Sequence, residues 1–227
     1  MQEELKRQII KTGDGSTTIH LPDWNEQYHS KHGAINEARH VFIQNGFDYI
    51  LQQRSYNPLK ILEIGFGTGL NAFITFLEAE KRQQNIHYTG VEAYPVKNDE
   101  IELLNYPEEL SVKEKQESFM QMHTSDWQSE EKISSVFSLT KRQQFFDEIK
   151  DQKAFDLVYF DAFGARVQPE LWTVEIFKKM FAALNDNGVL VTYAAKGSVR
   201  RAMQEVGFTV ERLPGPPGKR EMLRALK

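Results

Sequence analysis

The sequence predicts an α/β fold: a doubly wound, mostly parallel sheet of seven strands with an antiparallel C-terminal hairpin, preceded by a small N-terminal hairpin and a helix. Three observations predict it. Short, β-branched apolar runs alternate with segments of helical spacing over residues 56–227. A glycine cluster follows the first of these runs and opens a helix. The last two β-rich runs are too close together for a helical crossover, so they must pair antiparallel at an edge.

The elements follow in order. Lys11-Thr-Gly-Asp-Gly15 is a turn signal between Ile9-Ile10 and Thr17-Thr-Ile19, which reads as a hairpin. From Asn36 to about Gln52, residues Ala38, Val41, Phe42, Phe47, Ile50 and Leu51 fall near helical spacing, and Asn36 is placed to cap the start. Residues 1–55 are therefore expected to pack, as a hairpin and helix, on a main domain spanning 56–227. Leu59 to Ile64 predicts a buried parallel strand, Leu70 to Arg82 the helix after it, Ile86 to Val91 a second strand and Val96 to Tyr106 a helix. A polar, charged insertion from Glu108 to Ser129 carries an amphipathic segment. Alternation resumes with a strand at 133–139, a short helix at 143–149, a strand at 155–160, a helix at 170–184 and a strand at 188–194. A helix at 199–205 and strands at 208–213 and 221–225, joined by a Pro/Gly-rich turn, complete the chain.

Composition removes several function classes. The 227 residues are 40% hydrophobic and include no cysteine, which excludes a disulfide scaffold, a thiolate zinc site, an iron–sulfur cluster and a cysteine nucleophile. No apolar run approaches the roughly 18 residues that span a bilayer, and the N-terminus lacks the order of a signal peptide, so a cytoplasmic protein without a membrane partner is expected. His29, His32 and His40 fit no standard metal-ligand spacing, and no metal is expected. The net charge of −4 argues against a nucleic-acid partner when averaged over the chain. The distribution argues the other way, because residues 164–227 hold eleven Lys/Arg against six Asp/Glu, a net +5.

Glu63-Ile-Gly-Phe-Gly-Thr-Gly69 ends the first strand of the main domain and opens a helix, where glycines let the backbone turn sharply and present amides to a nucleotide. A dinucleotide fingerprint would place its third glycine at position 70, which is Leu. The observed Glu-x-Gly-x-Gly-x-Gly pattern resembles motif I of class I S-adenosylmethionine-dependent methyltransferases, where the leading acid helps to hold the methionine amino group. Glu92 closes the second strand, where an acid can accept hydrogen bonds from both ribose hydroxyls. Class I enzymes often carry an acid near the adenine after the third strand. None follows Leu139 until Asp147, so the adenine contact stays unassigned.

Asp161 ends the strand at 155–160, next to the expected position of the reactive methyl. Methyl transfer to an amine requires an aligned, neutral nucleophile, and a carboxylate can hold or accept its proton. Here the chain resembles a narrower family. Asp161-Ala-Phe163, Gln168-Pro-Glu-Leu-Trp172, Val191-Thr-Tyr193, Lys196-Gly-Ser-Val-Arg-Arg201 and Gly215-Pro-Pro-Gly-Lys-Arg-Glu-Met-Leu223 resemble the tRNA 5-methylaminomethyl-2-thiouridine methyltransferases, the MnmD type and the methyltransferase half of MnmC. Asp14-Gly-Ser-Thr17, Tyr28-His-Ser30, Gly33-Ala34, Val41-Phe42 and Gly65-Phe-Gly-Thr-Gly-Leu-Asn71 extend the resemblance upstream.

The resemblance implies the class I fold, S-adenosyl-L-methionine as cofactor and methylation of the exocyclic amine of 5-aminomethyl-2-thiouridine at the tRNA wobble position. It implies cofactor binding by Glu63, Gly65, Phe66, Gly67, Gly69, Asn71, Glu92 and Asp161, with Asp161 catalytic. A flavin domain is not expected in this chain, and a monomer is. Lys196, Arg200, Arg201, Lys219 and Arg220 follow strand ends on the active-site edge and are candidates for phosphates of the anticodon arm. Phe66, Tyr159, Phe163, Trp172 and Tyr193 are candidates for stacking on a splayed base, Tyr159 being better placed for the core. Competing readings are a class I methyltransferase acting on another RNA or a small amine, and a non-catalytic RNA-binding protein on the same fold.

Overall fold

The computed structural model describes residues 6–227; residues 1–5, the start of the expected N-terminal unit, lie outside them. The sheet is centred on β4 (Leu59–Ile64) and β8 (Phe155–Phe160). Both are apolar almost throughout because helices cover both faces, so no residue parity can face water. β5 (Ile86–Glu92), β7 (Phe137–Gln143) and β9 (Leu184–Thr192) continue the parallel part. β10 (Thr209–Pro214) and β11 (Glu221–Leu226) form the antiparallel hairpin, with β11 antiparallel to β9 and Leu223 opposite Thr192. Among the described residues the order is β10-β11-β9-β8-β4-β5-β7 followed by β6 (Glu130–Lys132), eight strands rather than the expected seven. The additional strand is β6, three charged residues paired antiparallel with β7 at the far edge.

The third main-domain strand lies four residues beyond its expected place at 133–139. Ile133 instead forms the β6–β7 turn, where its N–H donates to the Phe137 carbonyl at 3.0 Å. The strand runs on through Thr140-Lys-Arg because Lys141 is only 1% exposed. Its ammonium donates to the His123 carbonyl and lies 4.8 Å from the Trp127 ring centre. A lysine in that setting looks like loop in the sequence. The helix expected at 143–149 is a single turn at Phe146–Glu148.

The helix expected at 96–106 is split into α3 (Asn98–Ile101) and α4 (Tyr106–Glu109). Asn105 lies at the break, where its side chain accepts from the Thr17 N–H at 2.7 Å and donates to the Gly15 carbonyl at 3.0 Å. That residue ties the N-terminal hairpin to the domain instead of continuing a helix. The charged insertion at 108–129 contributes to the core through α5 (Gln116–Thr124), whose Phe119 packs edge-on against Phe73 and Tyr106.

At the N-terminal end, β1 (Gln8–Lys11) and β2 (Thr17–Leu21) form the hairpin, and β3 (Glu26–Gln27) adds a short third strand. The helix expected from Asn36 begins at residue 34 and is α1 (residues 34–53), with a π-helical middle at Arg39–Asp48. Asn36 does not cap it. Asp14, in the hairpin turn, accepts from the Asn36 N–H at 2.9 Å and serves a helix 22 residues downstream. Gly46 faces the sheet so closely that a Cβ would lie 2.9 Å from Val191 Cγ2.

α1 and α2 (Leu70–Arg82) cover one face of the sheet, where Phe42 meets Tyr159 and Phe76 meets Phe137. α6 (Val174–Ala183) and α7 (Gly197–Val206) cover the other, where Phe177 meets Phe160. Alternate residues of β4 and β8 divide between these two apolar clusters, as period-two geometry requires. A single-turn segment at Pro169–Trp172 replaces the first turn of the helix expected from Glu170.

Candidate active site

A cavity of about 970 Å³ opens at the carboxyl ends of β4, β5, β7 and β8, where α/β sheets bind ligands. Gly65 and Gly67 form its floor and Gly69 follows at the start of α2, with φ of +89°, +48° and +69°, a left-handed path that only glycine follows without strain. At Gly65 space is equally restrictive, since a Cβ would lie 2.7 Å from the Asp161 carbonyl oxygen. The loop is tied down by two bonds from the Gly65 and Phe66 N–H groups to the Val91 carbonyl, each 3.0 Å. α2 begins directly after Gly69, so its amide dipoles face the cavity.

Three side chains form a polar row that runs from the buried Glu63 and Asn71 to the half-buried Asp161. Asn71 Nδ2 donates to Glu63 Oε1 at 2.9 Å and to Asp161 Oδ2 at 2.8 Å. Glu63 is fully buried, and loss of hydration pushes its carboxyl well above the usual carboxylate range, with the nearby Asp161 charge acting in the same direction and the Asn71 bond opposing. Asp161 is raised to about 7, first by burial and then by the Glu37 charge, against the Asn71 hydrogen bond and the Lys219 charge. Glu92 accepts from the Gly67 N–H at 3.1 Å and the Tyr94 N–H at 2.9 Å, and burial raises its carboxyl too.

Gly65, Phe66, Gly67, Asn71, Glu92 and Asp161 line the cavity together. Glu63 and Gly69 do not. Glu63 lies behind Asn71, and Gly69 stands at the N-terminus of α2 against His123. Phe66 turns inward, 3% exposed, and packs edge-on against His123 and Trp127. Tyr159 and Trp172 are core residues, whereas Phe163 and Tyr193 reach the cavity. Tyr28 and Trp24 pack edge-on against Phe163 at 4.9 and 5.8 Å.

Several lining residues have no legible signal in the sequence. Arg7 comes from the N-terminal segment, and the exposed pair Tyr94 and Phe145 stands edge-to-face at the mouth, 6.0 Å apart; Tyr28, also lining, is marked in the sequence only through the family resemblance. Gln143 and Asp147 also line it. Because β7 ends four residues later than expected, no acid directly follows Leu139. The strand end is at Gln143, and Asp147 is the first acid past it.

Lys196, Lys219 and Arg220 line a second, open groove of about 740 Å³ that also takes in Arg166 and Arg212. Tyr193 borders both spaces. Arg200 and Arg201 lie on α7 outside that lining. Lys219 is not a free cation, because it is paired with Glu37. The histidines are apart in role: His29 is buried, shares a hydrogen bond with the Thr18 hydroxyl at 3.0 Å, and is held to about 4 by burial, while His40 Nε2 meets the Pro214 carbonyl at 2.8 Å.

The comparisons with known proteins agree with this geometry. The family described as S-adenosyl-L-methionine-dependent methyltransferase matches residues 109–227. Two similar proteins are each called tRNA 5-methylaminomethyl-2-thiouridine biosynthesis bifunctional protein MnmC. The one from Burkholderia multivorans is 26% identical over 98% of this chain and 35% of its own length. The one from Leptospira borgpetersenii is 30% identical over 88% of this chain and 32% of its own. The chain thus spans about a third of these relatives. Among solved structures, MnmC2 from Aquifex aeolicus superposes with a TM-score of 0.79 at 23% identity, covering 99% of this chain and 71% of that one. Spermidine synthase from Thermotoga maritima shares the fold with a TM-score of 0.52 at 13% identity, covering 100% and 82%.

The cavity suits the cofactor of that family. Asn71, which lines the cavity, has its buried Oδ1 without a hydrogen-bond partner among the described residues, as a cationic amino group would require, and the glycine floor is space that side chains would fill. On the family match, the fold and this fit, the chain belongs to the S-adenosyl-L-methionine-dependent methyltransferases.

Proposed function

We propose that this methyltransferase methylates the exocyclic primary amine of 5-aminomethyl-2-thiouridine at the wobble position of tRNA, forming 5-methylaminomethyl-2-thiouridine. The observation that carries the reading is Asp161: a carboxyl raised to about 7 that lines one cavity with Phe163 and Tyr193, and Tyr193 borders a groove bearing Lys196, Arg212 and Arg220. The names of the relatives point the same way.

Glu63, Asn71, Glu92 and the glycine loop are the residues that would hold S-adenosylmethionine, which supplies a methyl group already activated on a sulfonium. The residues of the chain manage the acceptor. An alkylammonium has no lone pair, so Asp161 accepts a proton from it or orients the neutral amine. Asn71 fixes one Asp161 oxygen and leaves the other for the substrate. The Tyr193 hydroxyl donates to the Ala162 carbonyl at 2.8 Å and fixes the backbone next to the acid. Phe163 and Tyr193 offer faces for an unstacked base, and the basic groove offers a track for phosphates.

The test is incubation with labelled S-adenosylmethionine and tRNA from cells lacking the activity, followed by nucleoside analysis. Labelled 5-methylaminomethyl-2-thiouridine supports the reading. Its absence, with cofactor binding confirmed, overturns it in favour of another RNA or a small amine as acceptor. For the phosphate track, Lys196→Ala combined with Arg220→Ala, both in the groove, is expected to weaken tRNA binding and lower the log K against log salt slope by about 1 to 2. An unchanged slope would place the RNA elsewhere.

A further inference from the structure

Glu37 and Lys219 are 182 residues apart in sequence, yet they meet beside the active site. Glu37, in the first turns of α1, is 7% exposed, and its second oxygen accepts from the Ser30 N–H at 2.8 Å. Lys219, in the β10–β11 turn, places its ammonium on the other oxygen and 3.7 Å above the centre of the Tyr193 ring. The turn is built for this. Gly218 has φ +85°, and a Cβ there would collide with the His32 ring at 2.2 Å; the Lys219 N–H donates to the Pro216 carbonyl at 2.9 Å. A buried carboxylate, an ammonium and the Tyr193 ring thus converge, and the Tyr193 hydroxyl donates to the carbonyl of Ala162, the residue next to Asp161.

We propose that Glu37 and Lys219 are a positioning pair for the transfer reaction, setting the ionisation of Asp161 by holding one compensated charge of each sign beside it. This rests on reading Asp161 as the group that handles the acceptor's proton. The charges around Asp161 are few. Glu63 lies beyond Asn71 on the sheet side, itself pushed toward its neutral form, with the Tyr88 hydroxyl next to it and likewise raised by burial. Tyr193 is a buried phenol held protonated. Glu37 disfavours a charged Asp161 and Lys219 favours it less strongly, so Lys219 offsets part of the Glu37 effect while both members are present.

The two halves of the pair therefore predict opposite results. Lys219→Met removes the favourable charge, so the acid limb of the kcat/KM profile moves to higher pH by roughly half a unit or more, and kcat/KM at pH 6.5 falls about threefold or more, recovering toward pH 9. Glu37→Gln removes the unfavourable charge and moves the limb to lower pH. The double variant returns toward the parent, and Lys219→Arg keeps the parent profile. A clasp with only a structural role would lower thermal stability in each variant and move no limb. A second readout needs no acceptor: 13C NMR titration of labelled aspartate carboxyls, with Asp161→Asn assigning the resonance. Opposite displacements of the Asp161 midpoint in Lys219→Met and Glu37→Gln support the proposal. Displacements in the same direction, or none, overturn it, whether or not tRNA proves to be the acceptor. Displaced midpoints without tRNA methylation would leave the pair standing and remove the tRNA reading.

Discussion

Asp161→Asn is expected to fold more stably than the parent and to transfer methyl groups about 10²-fold more slowly or worse, while cofactor affinity stays within about tenfold. The stability gain follows from burial. A carboxyl that ionises near 7 in the folded chain but near 3.8 in the unfolded chain binds its proton more tightly when folded. Its contribution favours folding at low pH and is lost as pH rises from about 4 to about 7. An asparagine keeps the acceptor for Asn71 and carries no such penalty, so the stability gap between variant and parent should widen over that interval and then level off. Denaturant melts at pH 4, 5.5 and 7.5 measure it. The rate loss follows because the amide can orient an amine but cannot take its proton. A near-parent rate would show that Asp161 only orients, and a gap that does not grow with pH would show that its carboxyl is not raised.

Gly65→Ala is expected to abolish measurable cofactor binding, by about 10²-fold or more. At φ +89° a side chain costs on the order of 1–3 kcal/mol in backbone strain alone. The added Cβ would also press on the Asp161 carbonyl from 2.7 Å, against backbone that cannot rotate away. Relief requires moving either the glycine floor or the strand end that carries Asp161, so binding and catalytic geometry fail together. Isothermal titration with S-adenosylmethionine would check this. Substitution at Gly164, where a Cβ would meet the Tyr193 hydroxyl at an ordinary 3.6 Å, is the matched control and should bind the cofactor normally.

Where pattern and chemistry coincide, the sequence was legible. Leu59–Ile64, Leu70–Arg82 and Phe155–Phe160 lie where the apolar runs place them, because strands buried on both faces must be apolar throughout and a glycine-rich turn must separate strand from helix. Glu92 and Asp161 stand at strand ends for the same reason. Legibility failed where a polar residue is paid off by a partner distant in the chain. Lys141 extends β7 because His123 and Trp127 receive its ammonium, and Asn105 breaks a helix because Thr17 and Gly15 bind its amide. Nothing local announces either partner.

The same contrast holds at the site. From sequence alone came an α/β sheet with a glycine loop and acids at two strand ends, proposed for the donor and for the transfer, because periodicity and φ > 0 are local properties of the chain. Only the tertiary structure decided that Glu63 reaches the site through Asn71, that Asp147 stands beyond the end of a displaced strand, and that Glu37 and Lys219 meet beside Asp161. The physical reason is that hydrogen bonds, desolvation and charge–charge energies depend on distances in space, and those are set by how α1, the sheet and the C-terminal hairpin pack together rather than by spacing along the chain.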